Sequence, residues 1–185
     1  MTYQQQGFFN MFEKKNKVGD MAATLAETLI QARNESLRES LSDFENSEHK
    51  LEFVKTIGGI DFINDSRSTN INSVWFALES MTKPTTWIMN IAQLESITAD
   101  LLDIINEKVK LIVIQGVYNS AIYDFFSGLH KKVVFSMNLE DAVRSAYYSS
   151  QPGNAILFSP GTVSAGAYRT YRERGEKFKD AVAQL

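Results

Sequence analysis

No cysteine occurs in the 185 residues, and the chain has only two histidines and three prolines. The missing thiols exclude disulfides, thiolate metal sites and cysteine nucleophiles together. His49 and His130 stand far apart with no neighbouring ligand at metal-site spacing, so the sequence predicts no metal centre. A net charge of -3 with mixed signs provides no general attraction to nucleic acid or an anionic membrane. No run approaches the ~20 apolar residues that a membrane helix requires. The amino terminus, MTYQQQGFFNMFEKKNK, is too polar for a signal peptide, which makes the cytoplasm the expected location.

What is present suits a globular domain with an appendage, since 44% hydrophobic residues suffice for a core. Met21, Leu25, Leu29, Leu37 and Leu41 recur with Ala22, Ala23 and Ala26, which predicts an amino-terminal helical segment within residues 1–41. Before it, Phe8, Phe9, Met11 and Phe12 form an aromatic group that gains by covering an apolar surface, on this chain or a partner. Next comes LEFVKTIGGIDFIND, read as strands Leu51 to Ile57 and Ile60 to Asn64 joined at Gly58-Gly59.

Strand and helix then alternate. Short apolar strands are expected at 85–89, 110–115, 132–136 and 155–159, with helices at about 73–81, 96–107, 120–127, 139–149 and 168–183. This order predicts an α/β fold: a Rossmann-like three-layer domain over 42–185, with a mostly parallel six-stranded sheet and one antiparallel edge strand. Trp75, Phe76, Trp87 and Phe158 are expected in its core, and YRERGEKFK is expected to show solvent a charged face with Tyr171, Gly175 and Phe178 turned inward.

The stretch DFINDSRSTN, Asp61 to Asn70, runs from an apolar strand into seven polar residues and then a helix that Asn70 or Thr69 can cap. Carboxyl ends of strands form the ligand edge of open α/β sheets, so this is a binding edge by position. The plainer alternative is a strand-end turn in which Asp65 and Thr69 cap the helix and Arg67 pairs locally.

Four strings, SDFENSEHKLEFV, FINDSRSTN with its sequel NSVWFALESM, LFSPGTVS and YRERGEKFKDAV, resemble the C-terminal domain of the Mur ligases, and among these the D-glutamate-adding branch of peptidoglycan synthesis. The resemblance covers Ser42 to the end, and makes residues 1–41 look like the last piece of that family's central domain. It implies a domain that closes over ATP held elsewhere, in a ligase that joins an amino acid to a carboxylate through an acyl phosphate. The family's Asp-Ser-Lys-x-Thr-Asn motif falls on Asp65, Ser66, Thr69 and Asn70, with Arg67 in place of Lys. Its His-Arg pair stands as His49-Lys50, and Asn16 falls near its adenine position. By that resemblance Asp65, Arg67, Lys50 and Asn16 are candidate nucleotide contacts, and Thr69, Ser164 and Tyr171 are candidate substrate contacts.

Other positions depart from the pattern. NIAQLE, Asn90 to Glu95, replaces the family's Gly-Gly-x-Asp-Lys-Gly, and the Lys that faces an incoming carboxylate falls on Leu94. Losing one such charged hydrogen bond costs about 1.5 to 3 kcal/mol. No G-x-x-x-x-G-K-[ST] phosphate loop occurs, so no catalytic residue is assigned, and ATP and magnesium are expected only with a complementing central domain. Three readings stay open: a noncatalytic Mur-ligase-like binding or scaffolding module with a protein partner, the carboxy-terminal part of a split or excised ligase, and a sensor of a nucleotide or small carboxylate.

Overall fold

A computed structural model describes residues 24–25, 28–29, 32, 47–90, 94 and 97–185. The chain divides into two compact units, Met1–Ser42 and Asp43–Leu185. In the first, the described positions are helical and exposed, and the Thr28 hydroxyl donates to the Thr24 carbonyl at 2.8 Å. The aromatic amino terminus, Asn16 and the rest of the expected amino-terminal helix lie outside the described residues, as does most of NIAQLE.

The second unit is built on six strands in the order β1-β2-β6-β3-β4-β5. They are β1 (Glu52–Ile57), β2 (Ile60–Asn64), β3 (Thr85–Met89), β4 (Val109–Gln115), β5 (Lys132–Ser136) and β6 (Ala155–Phe158). β1 and β2 pair antiparallel and every other neighbouring pair is parallel. Gly58 and Gly59 carry φ of 57° and 78°. Two positive φ values in a two-residue loop twist the hairpin in the sense its strands require, and glycine adopts them without a steric penalty.

The helices are α1 (Ile71–Glu79), α2 (Ala99–Lys108), α3 (Ser120–Gly128), α4 (Leu139–Ser149) and α5 (Tyr171–Ala183). Each starts at a side-chain cap: Asn70, Thr98, Asn119, Asn138 and Thr170 accept from the third backbone N–H that follows. These caps move two helix starts later than periodicity predicts, from 96 to Ala99 and from 168 to Tyr171. Strand β1 likewise begins after Leu51, because Leu51 holds a left-handed φ of 46°.

Helical crossovers carry the chain from β2 through β5 in one direction along the sheet, and α4 brings it back to insert β6 between β2 and β3. The reversal puts α4 and α5 on the face opposite α1, α2 and α3. Ile60, Phe62, Ile88, Leu111, Val113, Ile156 and Phe158 project from the sheet against Leu139, Val143, Phe178 and Val182 on the α4/α5 side. Phe158 and Phe178 stack at 5.0 Å there, while Trp87 meets Phe126 edge-on at 6.4 Å on the other side. Trp75, Phe76, Trp87 and Phe158 are all buried, and each such side chain contributes about 1.5–3 kcal/mol. Among the described residues, no helix is long and apolar enough to cross a membrane.

Candidate functional site

The connections leaving β2 and β6 run to opposite faces of the sheet, which makes the carboxyl ends of these strands the position where open α/β sheets form a ligand crevice. Two segments line it: the turn 65–70 after β2 and the loop 159–164 after β6. Asp65 N–H donates to the Phe158 carbonyl at 2.8 Å, prolonging the β2–β6 ladder by one residue. Gly161 N–H donates to the Ser68 carbonyl at 3.0 Å and ties the two segments together.

Asp65 is wholly buried, and its two oxygens take four internal donors. Oδ1 lies 3.2 Å from Lys50 Nζ and accepts from Leu51 N–H at 3.2 Å. Oδ2 accepts from the Ser159 hydroxyl at 2.9 Å and from the Ser68 hydroxyl. Burial pushes the carboxyl above its ordinary pKa, against the pull of Lys50 and those hydrogen bonds. Lys50 is itself only 3% exposed, with its ammonium 5.4 Å from the Phe76 ring centre.

Local backbone geometry turns Lys50 inward. The residues on either side, His49 and Leu51, have left-handed φ of 66° and 46°, an unfavourable conformation for side chains of this size. Its cost is offset by hydrogen bonds that need this path: Arg67 N–H to the His49 carbonyl at 3.0 Å, and Leu51 N–H to Asp65. His49 is buried against α5. Its Nδ1 lies 3.0 Å from Asn64 Nδ2, and Asn64 is oriented by accepting from Ser66 N–H at 3.2 Å. Nδ1 therefore accepts, and Nε2 carries its hydrogen toward Glu176 Oε1 at 3.4 Å.

Glu48, His49 and Glu176 bring potential metal-ligand atoms within 4.8 Å of one another, a grouping the sequence spacing concealed. A cation of the protein already serves it. Lys179 Nζ stands 2.7 Å from Glu176 and 3.3 Å from Glu48. Burial works against that ammonium, yet Glu176, Glu52 and Glu48 hold its pKa above the ordinary lysine value.

The solvent side of the edge is formed by half-buried Arg67, Thr69 and Tyr171. The Arg67 guanidinium lies 5.8 Å from the Tyr171 ring centre, and the Ser66 hydroxyl donates to the Tyr171 carbonyl at 2.8 Å. Ser164 belongs to the loop facing this turn, and its buried hydroxyl has no hydrogen-bond partner among the described residues. The structure thus gathers Lys50, Asp65, Arg67, Thr69 and Tyr171 around one turn, with Lys50 and Asp65 inside it. Asn16 lies outside the described residues, and Leu94 is half-buried.

The sequence pattern puts Arg174 on a solvated face, whereas the structure leaves it only 1% exposed. Its Nη2 donates to the Ser66 carbonyl at 2.8 Å and the Thr162 carbonyl at 3.0 Å, clamping the 65–70 turn to the 159–164 loop. Burial pushes the guanidinium down to about 10, so it stays charged at neutral pH. The missed signal is helical spacing: Arg174 precedes Phe178 by four residues and so shares its inward stripe.

No family profile matches the chain. Over 172 residues, 93% of its length, it is 38% identical to the UDP-N-acetylmuramoylalanine--D-glutamate ligase of Christiangramia forsetii. Over 171 residues, 92% of its length, it is 36% identical to the enzyme of the same name from Bacteroides fragilis. The chain spans 39% and 38% of the length of these two relatives. Among solved structures, UDP-N-acetylmuramate-alanine ligase from Thermotoga maritima matches 79% of the chain and 32% of its own, at a TM-score of 0.50 and 15% identity, a likeness of fold. Fold and sequence together make the chain a Mur-ligase-like α/β domain, of the type that forms the C-terminal domain of those enzymes. Within that class, its sequence relatives are the D-glutamate ligases.

Proposed function

We propose that this chain serves peptidoglycan synthesis as a noncatalytic Mur-ligase-like module that binds or scaffolds. One observation carries the reading: the carboxylate at the motif's centre is fully engaged inside the protein. Asp65 accepts from Leu51, Ser68 and Ser159, pairs with Lys50, and has no surface left for a ribose hydroxyl. Leu94, where the family resemblance expects a lysine, agrees with this. An apolar side chain there offers no charged hydrogen bond to a substrate carboxylate.

A second reading takes the chain as the closing C-terminal part of a split or excised ATP-dependent UDP-N-acetylmuramoylalanine--D-glutamate ligase. Arg67, Thr69 and Tyr171 favour it, because they keep a cation, a hydroxyl and an aromatic face on the crevice's solvent side. ATP and magnesium then come with a separate central domain. Phosphate release is the test, measured with ATP, magnesium, UDP-N-acetylmuramoylalanine and D-glutamate, with and without the remaining part of the Christiangramia enzyme. Silence in both arms, with the two proteins still co-eluting, supports the noncatalytic module. Turnover in the mixed arm replaces it with the complementing ligase.

A further inference from the structure

At the opposite, amino-terminal end of the parallel strands lies a cavity of about 960 Å³. Its floor includes Leu111 and Val134, Tyr123 stands at its rim, and Lys110, Lys131 and Lys132 surround it. Among the described residues no Asp or Glu lines it, and no carboxylate pairs with any of the three lysines. β4 and β5 are registered with Leu111 opposite Lys132, so Lys110 and Lys132 leave the sheet on opposite faces at the cavity.

Lys131, in the same lining, is held by two hydrogen bonds. Its ammonium donates to the carbonyls of Asn106 and Val109, both at 3.0 Å, at the carboxyl end of α2. Burial, and then repulsion from Lys110, depress its pKa. An anion in the cavity relieves that repulsion. Tyr123, 40% exposed, adds an aromatic face at the rim.

We infer that this cavity binds a small polyanion through a pyrophosphoryl group. Separated ammonium groups act as point charges without fork geometry, which suits a diphosphate's distributed oxygens better than one planar carboxylate. Ser127, Gln151 and Asn154 add neutral donors to its lining. The site is independent of the Asp65 edge and of the function proposed for it.

Amide chemical-shift mapping of the whole chain, titrated with sodium pyrophosphate and separately with ADP at low and physiological salt, tests the assignment. The expected result is saturable shifts at Lys110, Tyr123, Lys131 and Lys132 that weaken as salt rises. The double variant Lys110→Gln, Lys132→Gln changes two exposed side chains and is expected to lose affinity by about tenfold or more with an unchanged melting temperature. ADP binding tighter than pyrophosphate places a base on Tyr123, and equal affinity leaves the diphosphate as the recognised group. Shifts confined to residues 65–70, no saturation by about 10 mM, or full affinity in the double variant overturns the inference.

Discussion

Lys50 Nζ and Asp65 Oδ1 face each other at 3.2 Å in a site where neither residue is more than 3% exposed. Removing one member of a buried pair costs about 3–5 kcal/mol, because the other charge stays buried and uncompensated. Lys50→Met and Asp65→Asn are therefore each expected to lower stability strongly in urea denaturation at neutral pH. Combining them removes both charges, while the amide oxygen introduced at position 65 still accepts from Leu51 N–H. The double variant should recover at least about 1 kcal/mol relative to the sum of the singles. Strict additivity would show that the two charges do not interact.

Asp61, within β2, and Asp65, just after it, should be shifted in opposite directions. Asp61 is lowered by its hydrogen bond to Lys83, then by that to Thr56. Its contribution to stability is present above the unfolded carboxylate pKa and is lost as pH falls through the folded value. Asp65 is raised by burial, so its contribution is fully present below the unfolded pKa and is lost as pH rises through the folded value. Carboxyl-carbon NMR titration should place Asp61 below and Asp65 above 3.8. The reverse order would mean that the hydrogen bonds to Asp65 outweigh its desolvation.

Much of the fold was legible because period and punctuation agreed. The Gly58-Gly59 turn, the apolar strands and the capping residues each state a local preference that the tertiary structure keeps. The site was legible only as a position. Nothing in the string DSRSTN reveals that Asp65 points inward, since this follows from left-handed backbone at His49 and Leu51, well upstream in the chain, meeting the turn in space. Arg174 was hidden for a related reason: a charged residue type suggested solvent, whereas the Ser66 and Thr162 carbonyls both accept from its buried guanidinium.

Gly175→Ala discriminates helix propensity from packing. In an open helix interior this change is favourable by about 1 kcal/mol. Here a Cβ would lie 2.2 Å from His49 Nδ1 and 2.5 Å from Ser66 Oγ, both held by hydrogen bonds. Overpacking costs about 1–3 kcal/mol or more, so the expected result is a net loss of stability. A rise in melting temperature would mean that α5 shifts away from His49 without penalty.

Arg174→Met should loosen the crevice as well as the fold. It leaves the buried Ser66 carbonyl and the half-buried Thr162 carbonyl without their shared donor, at about 1–3 kcal/mol for the buried one. Hydrogen exchange is expected to accelerate at Gly161, whose amide donates to the Ser68 carbonyl and bridges the loop to the turn. Faster exchange confined to the far end of α5 would assign Arg174 to helix packing alone.

Ser164→Ala tests whether the crevice retains a ligand-directed group. The hydroxyl is buried without a partner among the described residues, so it makes no bond there whose loss could destabilise the fold. Removing an unsatisfied polar atom is neutral or favours the folded state by up to about 1 kcal/mol. On the complementing-ligase reading, stability and binding should separate: urea midpoints equal or higher, with weaker D-glutamate-dependent protection in a thermal-shift titration of the chain mixed with the rest of a relative's ligase. A serine retained only for structure predicts the opposite, a lower midpoint with ligand response unchanged. Arg67→Ala provides the comparison on the same edge, because its guanidinium stands beside the Tyr171 ring on the crevice's solvent side. If neither change alters the ligand response while the mixture still turns over substrate, the 65–70 turn is structural and the binding edge lies elsewhere.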